Sequence, residues 1–405
     1  MNSSISGAAG PGANLSALRS HNAALVLGLL RDAGEAGVSR LELAAHTGLT
    51  PQAVSKITAR LRAEGLATEA GHRPSTGGKP RTVLRLVPGA RHAIGLHLDR
   101  DELTAVLVDL AGTPVAVRTA DFDFGAAAER ALTAATTQVR ALIEDAGELL
   151  GPTVGETGDE TADETADETG DEAGGETGGE TGGETADETA GGGLLGVGVA
   201  APGPLDHSSG VLHRVTGFPQ WDGFRLREAL ARRLGLPVVL DKDTNAAALG
   251  LVTAESSAYL HLGTGLGAGL VLGGGVYRGA RTDAGEFGHQ VIQLDGPRCG
   301  CGNRGCLEAL CLAAVARGET AVAARLLGVG AANLVRLLDI DRVLLGGRVV
   351  LADPGPYIQG VSRMLAEDSA RASRPVVPVE VVERGNRAVV EGAAQLVLAP
   401  LFARG

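Results

Sequence analysis

The chain is 405 residues long and 44% hydrophobic, which leaves room for more than one domain with its own core. A disulfide reading of the four cysteines is weak, because Cys-x-Cys is a poor spacing for an unstrained bridge and no secretory signal accompanies it. No apolar run reaches membrane-spanning length without polar interruption, and the N-terminus does not resemble a secretory signal, so a cytoplasmic protein with no membrane partner is expected. The formal charge of −12 is local: residues 151–193 hold 14 Asp and Glu and no Lys or Arg, and without them the balance is +2.

Residues 1–15 are small and polar with Gly and Pro, the composition of a disordered tail. Residues 16–88 read as a helical, basic block; through residue 90 there are ten Lys and Arg against five Asp and Glu. Within it, Ser39 can cap a helix with Glu42 three residues on, Gly48 ends that helix, Thr50 caps the next, and Pro51 occupies its first turn. This is the grammar of a helix-turn-helix. Val54, Ile57 and Leu61 then share one face, while Gln52, Ser55, Lys56, Ala59 and Arg60 share the other. The second face mixes groups able to reach base edges with cations suited to phosphates. Downstream, two short strands flank a basic loop running from Gly71 to Arg81, the pattern of a wing that adds Arg73, Lys79 and Arg81 to a surface for double-stranded DNA. The plainer alternative is a small helical packing module whose charges are only a solvated face.

After Pro88-Gly89 the pattern changes to alternating strands and helices. Strands are predicted at 94–98, 103–110, 114–119, 194–200, 238–241, 258–262, 269–272, 342–345 and 377–382. Helices are predicted near 126–150, 226–234, 246–253, 306–316, 321–338, 356–370 and 387–398. The interruption at 151–193 repeats units such as Ala-Asp-Glu-Thr and Gly-Gly-Glu-Thr, too polar and too acidic to offset the entropy of ordering, and is expected to be a disordered insert. Loop-closure entropy grows only logarithmically with length, so the α/β domain can resume beyond it.

Three of the four cysteines fall in the stretch Cys299-Gly-Cys301-Gly-Asn-Arg-Gly-Cys306, with His289 just upstream. Three thiolates and one imidazole suit a closed, tetrahedral structural zinc site, and the intervening glycines permit the turns that gather them. Cys311 lies among leucines on a predicted helix and reads as core, with a ligand exchange against Cys306 left open. Four reduced cysteines with an ordinary buried histidine is the alternative.

Taken together, Glu286-Phe-Gly-His289, the cysteine segment running on to Glu308, Gly263-Thr-Gly-Leu-Gly-Ala-Gly269, Asp243-Thr-Asn-Ala-Ala-Ala-Leu249 and Leu345-Gly-Gly347 resemble the ROK family of repressors, open reading frames and sugar kinases. The resemblance covers nearly the whole chain apart from the insert. It implies a winged helix-turn-helix at 16–88 followed by a two-lobed actin-like, ribonuclease-H-like α/β domain at 91–405. It further implies an effector sugar held by Asp243, Glu286, His289 and Glu308, with His289 also a metal ligand beside Cys299, Cys301 and Cys306. A repressor of this kind would bind operator DNA as a homodimer or a dimer of dimers.

In the family's kinases the residue matching Asp243 is the general base, and two Gly/Thr-rich loops hold the nucleotide phosphates. Gly263-Thr264-Gly265 keeps the second loop, but Asp99-Arg100-Asp101 replaces the first. Side chains then stand where glycine lets backbone N–H groups reach phosphate, and two carboxylates oppose the anion. The expectation is a regulator without kinase activity, the alternative being a sugar kinase that phosphorylates a hexose with ATP. Lys242 stands where the family usually has Asn, a change expected to alter the sugar bound or to favour an acidic or phosphorylated ligand.

Overall fold

The computed structural model describes residues 15–73, 81–150, 193–252, 255–382, 385 and 387–403. All but the last residue of the predicted tail, all but the last residue of the predicted insert, and the wing tip with Lys79 lie outside the described residues; Leu15, predicted as tail, opens α1.

The first unit runs α1 (Leu15–Ala33), β1 (Val38–Ser39), α2 (Arg40–Thr47), α3 (Pro51–Ala63), β2 (Ala67–Arg73) and β3 (Arg81–Leu86). Its local chemistry follows the sequence closely. The Ser39 side chain accepts from the Glu42 backbone N–H while the Glu42 carboxylate accepts from the Ser39 N–H, a complete capping box. Gly48 closes α2 in the left-handed region at φ 68°, and Thr50 accepts from Ala53 N–H to start α3 behind Pro51. Val54 and Leu61 are buried on the side of α3 that packs with α1, α2 and β2, while Ile57 is only half-buried. The strands form a sheet in the order β1-β3-β2, with β2 and β3 antiparallel around the wing.

The remainder contains β4 (His92–Leu98), β5 (Glu102–Asp109), β6 (Pro114–Asp121), α4 (Ala128–Asp145), α5 (Gly147–Leu150), β7 (Leu194–Ala201), β8 (Leu205–Asp206), β9 (Val211–Leu212), α6 (Leu226–Leu234) and β10 (Val238–Lys242). It continues with α7 (Asp243–Gly250), β11 (Ser257–Leu262), β12 (Leu266–Leu272), β13 (Gly275–Val276), α8 (Leu307–Ala316), α9 (Thr320–Leu338), β14 (Arg342–Gly346), α10 (Arg348–Ala352), α11 (Pro354–Ala372), β15 (Val379–Val381) and α12 (Arg387–Leu398). Two five-stranded sheets result, ordered β10-β7-β4-β5-β6 and β13-β12-β11-β14-β15. In each, three antiparallel strands are extended by two parallel ones, so the two lobes repeat one arrangement. This is the two-lobed actin-like, ribonuclease-H-like architecture that the sequence resemblance implies.

Between the sheets lie α12 and α7, and glycine makes the stack possible. A Cβ at Gly198 of β7 would sit 1.8 Å from Ala393 O, at Gly392 of α12 1.9 Å from Ala246 O, and at Gly269 of β12 2.0 Å from Thr244 O. Sheet, helix, helix and sheet therefore touch backbone to backbone. Gly269 sits in the Gly-rich motif for this packing reason, independent of any nucleotide. Gly392→Val is expected to force α7 and α12 apart and to cost about 3 kcal/mol or more, read as a lower midpoint in thermal or urea unfolding.

Three predicted boundaries shift for identifiable reasons. The helix predicted from 246 begins at Asp243, because an acidic residue in the first turn complements the helix dipole. The strand predicted from 269 begins at Leu266, its glycines being part of the stack. The helix predicted over 126–150 breaks around Ala146 before Gly147. Helix α9 is long and apolar enough by composition to cross a membrane, but it packs here with α8 and α11, burying Ala323, Leu327 and Ala331 in the second lobe.

The ends of the acidic segment meet: Leu150 O lies 3.9 Å from the position of a Cβ on Gly193, and His92 N–H donates to Gly193 O. Deleting residues 155–192 is therefore expected to leave the thermal midpoint and metal content unchanged, checked by calorimetry and elemental analysis.

Candidate functional site

The cleft between the lobes is built from chain segments far apart in sequence. Lobe one supplies the β4–β5 turn with Asp99 and Arg100, the loop at Pro202 and Gly203, Thr216, and Lys242 at the end of β10. Asp243 opens α7 directly behind Lys242. Lobe two supplies His261, the Thr264–Gly267 turn, Gly285, Glu286, His289 and Glu308. All four residues predicted to contact an effector, Asp243, Glu286, His289 and Glu308, line this one cavity of about 90 Å³. That is small beside the roughly 300–1,000 Å³ of drug-sized ligand sites.

Several polar ties cross the cleft. Lys242 Nζ donates to Glu286 Oε1 at 2.9 Å and to Ala284 O at 2.6 Å. Buried Asp241 accepts from Arg278 Nε at 2.6 Å. His207 Nδ1 lies 2.8 Å from Thr282 Oγ1. At the opposite rim, Arg348 Nη1 donates to both Asp101 oxygens at 3.0 and 2.8 Å, and Thr264 Oγ1 donates to Asp99 Oδ1 at 3.4 Å. The Arg348 pair is half exposed, so its own contribution to stability is small, of the order of 1 kcal/mol or less. Glu308 opens α8, and its Oε2 accepts from Leu266 N–H at 2.9 Å, which ties the cysteine loop's exit to the Gly-rich turn.

His289, Cys299, Cys301 and Cys306 present one ligand atom each, all within 4.8 Å of one another. Cys301 and Cys306 sulfurs are 3.7 Å apart, as are Cys299 Sγ and His289 Nδ1. A tetrahedron with metal–sulfur arms of about 2.3 Å has edges of about 3.8 Å, so the four residues fit a metal ion. Burial pushes the Cys299 thiol up and the Cys306 thiol up to about 12, helped by the neighbouring sulfurs. Cys301 moves down: although burial opposes it, the Asn303 N–H and the adjacent thiols favour its thiolate. Nδ1 is the imidazole nitrogen on the sulfur side, so a metal there would leave Nε2 for the cavity. Cys311 stands apart from this set, fully buried in the second-lobe core, its thiol donating to Ala323 O.

On the first unit, Gln52, Ser55, Lys56, Ala59 and Arg60 are all exposed on one face of α3. Arg60 pairs with Glu64 at 3.4 Å on the surface, and Arg62 and Arg40 lean toward Glu69. Thr58, unremarked in the sequence, is buried and accepts from Arg40 Nε, joining the two helices. Arg73 and Arg81 stand at the wing ends of β2 and β3, where the backbone alone is described. Two cavity residues, Thr216 and His261, carry no sequence signal that marks them; each is placed by its lobe.

A two-lobed α/β cleft protein with a helix-turn-helix head is the class this architecture defines. The ROK family model matches residues 184–318. It is 25% identical over 413 residues to a putative xylose repressor of Caldicellulosiruptor sp. strain Rt8B.4, covering 90% of this chain and 93% of that one. A glucokinase of Thermotoga maritima is 38% identical over 127 residues, 30% of this chain and 40% of the kinase. Among solved structures, a ROK family transcriptional regulator described as a homologue of the Escherichia coli MLC protein superposes with a TM-score of 0.70 at 21% identity. That match covers 95% of this chain and 97% of the other, a likeness of fold.

Proposed function

We propose that the protein is a sugar-responsive transcriptional repressor. The observation that carries this reading is the joining, in one chain, of an exposed recognition-helix face to a cleft where Asp243, Glu286, His289 and Glu308 converge. Carboxylates and an imidazole exchange hydrogen bonds with adjacent hydroxyls, the chemistry of a monosaccharide. Relatives named as xylose repressor and N-acetylglucosamine repressor support the same reading. In a homodimer, or a dimer of dimers, two α3 helices would enter successive major grooves of a pseudo-palindromic operator, with Gln52 and Ser55 at base edges. Lys56, Arg60, Arg73, Lys79 and Arg81 would face phosphate. A structural zinc ion on His289, Cys299, Cys301 and Cys306 would supply a fixed imidazole and a rigid loop. Sugar binding changes how the lobes close, and thereby the setting of the head at 16–88 on the domain at 91–405.

Operator affinity measured with and without D-xylose, D-glucose and N-acetylglucosamine tests this. One sugar is expected to shift it at least about fivefold, and DNA to shift that sugar's affinity by the same factor. No shift with any of the three removes the effector half of the proposal.

Phosphoryl transfer is left out of this function, although kinase relatives exist. Asp99 is engaged by Thr264, and Asp101 by Arg348, at the turn where the family's kinases use glycine backbone to hold phosphate. ATP turnover with a hexose panel is expected to stay at background; robust turnover abolished by Asp243→Asn would restore the kinase reading.

A further inference from the structure

We infer that Lys242 is a positioning residue of the cleft, holding Glu286 from the opposite lobe instead of serving as an anion ligand, and that the effector is an uncharged sugar. The inference rests on the cleft being a sugar site and deepens that reading. From sequence alone, a cation beside Asp243 suggests an acidic or phosphorylated ligand. The geometry points the other way.

Lys242 closes β10 with its side chain only 3% exposed. It runs beneath Gly203, where a Cβ would meet Lys242 Cδ at 2.7 Å. Its ammonium is spent on lobe two, donating to Glu286 Oε1 and Ala284 O. A ligand anion would have to break this ion pair, whose lysine is buried, to reach it, leaving Glu286 without its partner, and such exchanges are unfavourable. Arg100, the other cation of the lining, has its guanidinium 5.5 Å over the Phe218 ring. With Glu286 neutralised by Lys242, the cavity still presents Asp99, Asp243 and Glu308 against Arg100. An acid majority repels phosphate and carboxylate and welcomes hydroxyl donors. Glu286 remains 38% exposed, so its second oxygen can still accept from one hydroxyl. Lys242 thus occupies a hydrogen-bonding position that an amide and a sugar hydroxyl would otherwise share.

The test uses the full-length, zinc-loaded protein and calorimetric titration with D-glucose, D-xylose and D-glucose 6-phosphate. Wild type is expected to bind a neutral sugar and to reject the phosphate. Lys242→Asn, which returns an amide and frees Glu286, is expected to bind that sugar about tenfold more tightly, the equivalent of one additional good hydrogen bond. Lys242→Met, which keeps the length and removes the charge, is expected to go on rejecting the phosphate. Wild type preferring glucose 6-phosphate, with the preference lost in Lys242→Met, would overturn the inference and make Lys242 an anion ligand. Sugar affinity equal in wild type and Lys242→Asn would also overturn it while leaving the sugar site standing. Failure of every ligand to bind either protein, with zinc content and unfolding midpoint intact, removes the sugar-site reading and this inference with it. The wild-type phosphate arm needs no variant, so poor folding of either substitution does not shield the idea.

Discussion

Stripping the metal with a chelator, or replacing Cys306 by Ser, is expected to abolish sugar binding and to lower the unfolding midpoint by about 10 °C or more. The reason lies in how residues 290–306 are held. Val291 is 46% and Leu294 87% exposed, so the segment has few apolar anchors, and most of its backbone hydrogen bonds, such as Ile292 N–H to Gly305 O, Cys299 N–H to Asn303 O and Gly305 N–H to Pro297 O, close it on itself. A metal on His289, Cys299, Cys301 and Cys306 would tie the two ends of this loop to one point. Its loss frees His289 and the start of α8, and with it Glu308, two of the four groups expected to hold the sugar. The second-lobe core around Leu260, Leu327 and Leu345 takes only Ile292 from the loop, so the rest of that lobe should persist. The raised Cys299 and Cys306 thiols carry protons near neutrality that must leave when metal enters, so zinc affinity is expected to strengthen as pH rises. Unchanged sugar affinity and midpoint after complete metal removal, verified by elemental analysis, would contradict this.

The second large effect is expected on DNA. Gln52→Ala with Ser55→Ala should remove base-edge contacts worth about 1–3 kcal/mol each, lowering operator affinity by about 100-fold or more. Lys56→Ala should instead weaken operator and unrelated DNA alike and reduce the salt slope by about one. These side chains are exposed and outside the core of the head, so the unfolding midpoint should not move. Mobility-shift titrations at several salt concentrations separate the two classes. Equal losses on operator and random DNA for the Gln52/Ser55 pair would mean that α3 does not read sequence.

What the sequence discloses well is local chemistry. The Ser39–Glu42 box, the Gly48 stop and the Thr50-Pro51 start each need only neighbours a few residues away, and the structure has all of them. The gathering of His289, Cys299, Cys301 and Cys306 is similarly legible, because the three cysteines share one short loop. Long-range contacts are the illegible part. Gly198 reads only as part of a strand, Gly392 as part of a helix and Gly269 as part of a Gly-rich motif until the helices that cross them are in place. Lys242 reads as a free cation until Glu286 arrives from the other lobe, and Thr216 and His261 join the cleft only through folding.

One feature of the core bears on how this protein can be cut and recombined. Val26, Leu27 and Leu30 of α1 pack in a single cluster with Ala93, Val106 and Val108 of the first lobe and with Leu398 and Phe402 at the far end of the chain, where Arg31 also lies 3.9 Å over the Phe402 ring. The Pro88-Gly89 junction is thus a covalent seam without a physical gap. A head excised there would carry a raw greasy flank into water, and a truncation that spares the head but trims the last dozen residues would expose the same wound from the other side. Chimaeras that exchange DNA specificity between relatives should accordingly graft the closing helix and its tail together with the head, as one transplant in two pieces.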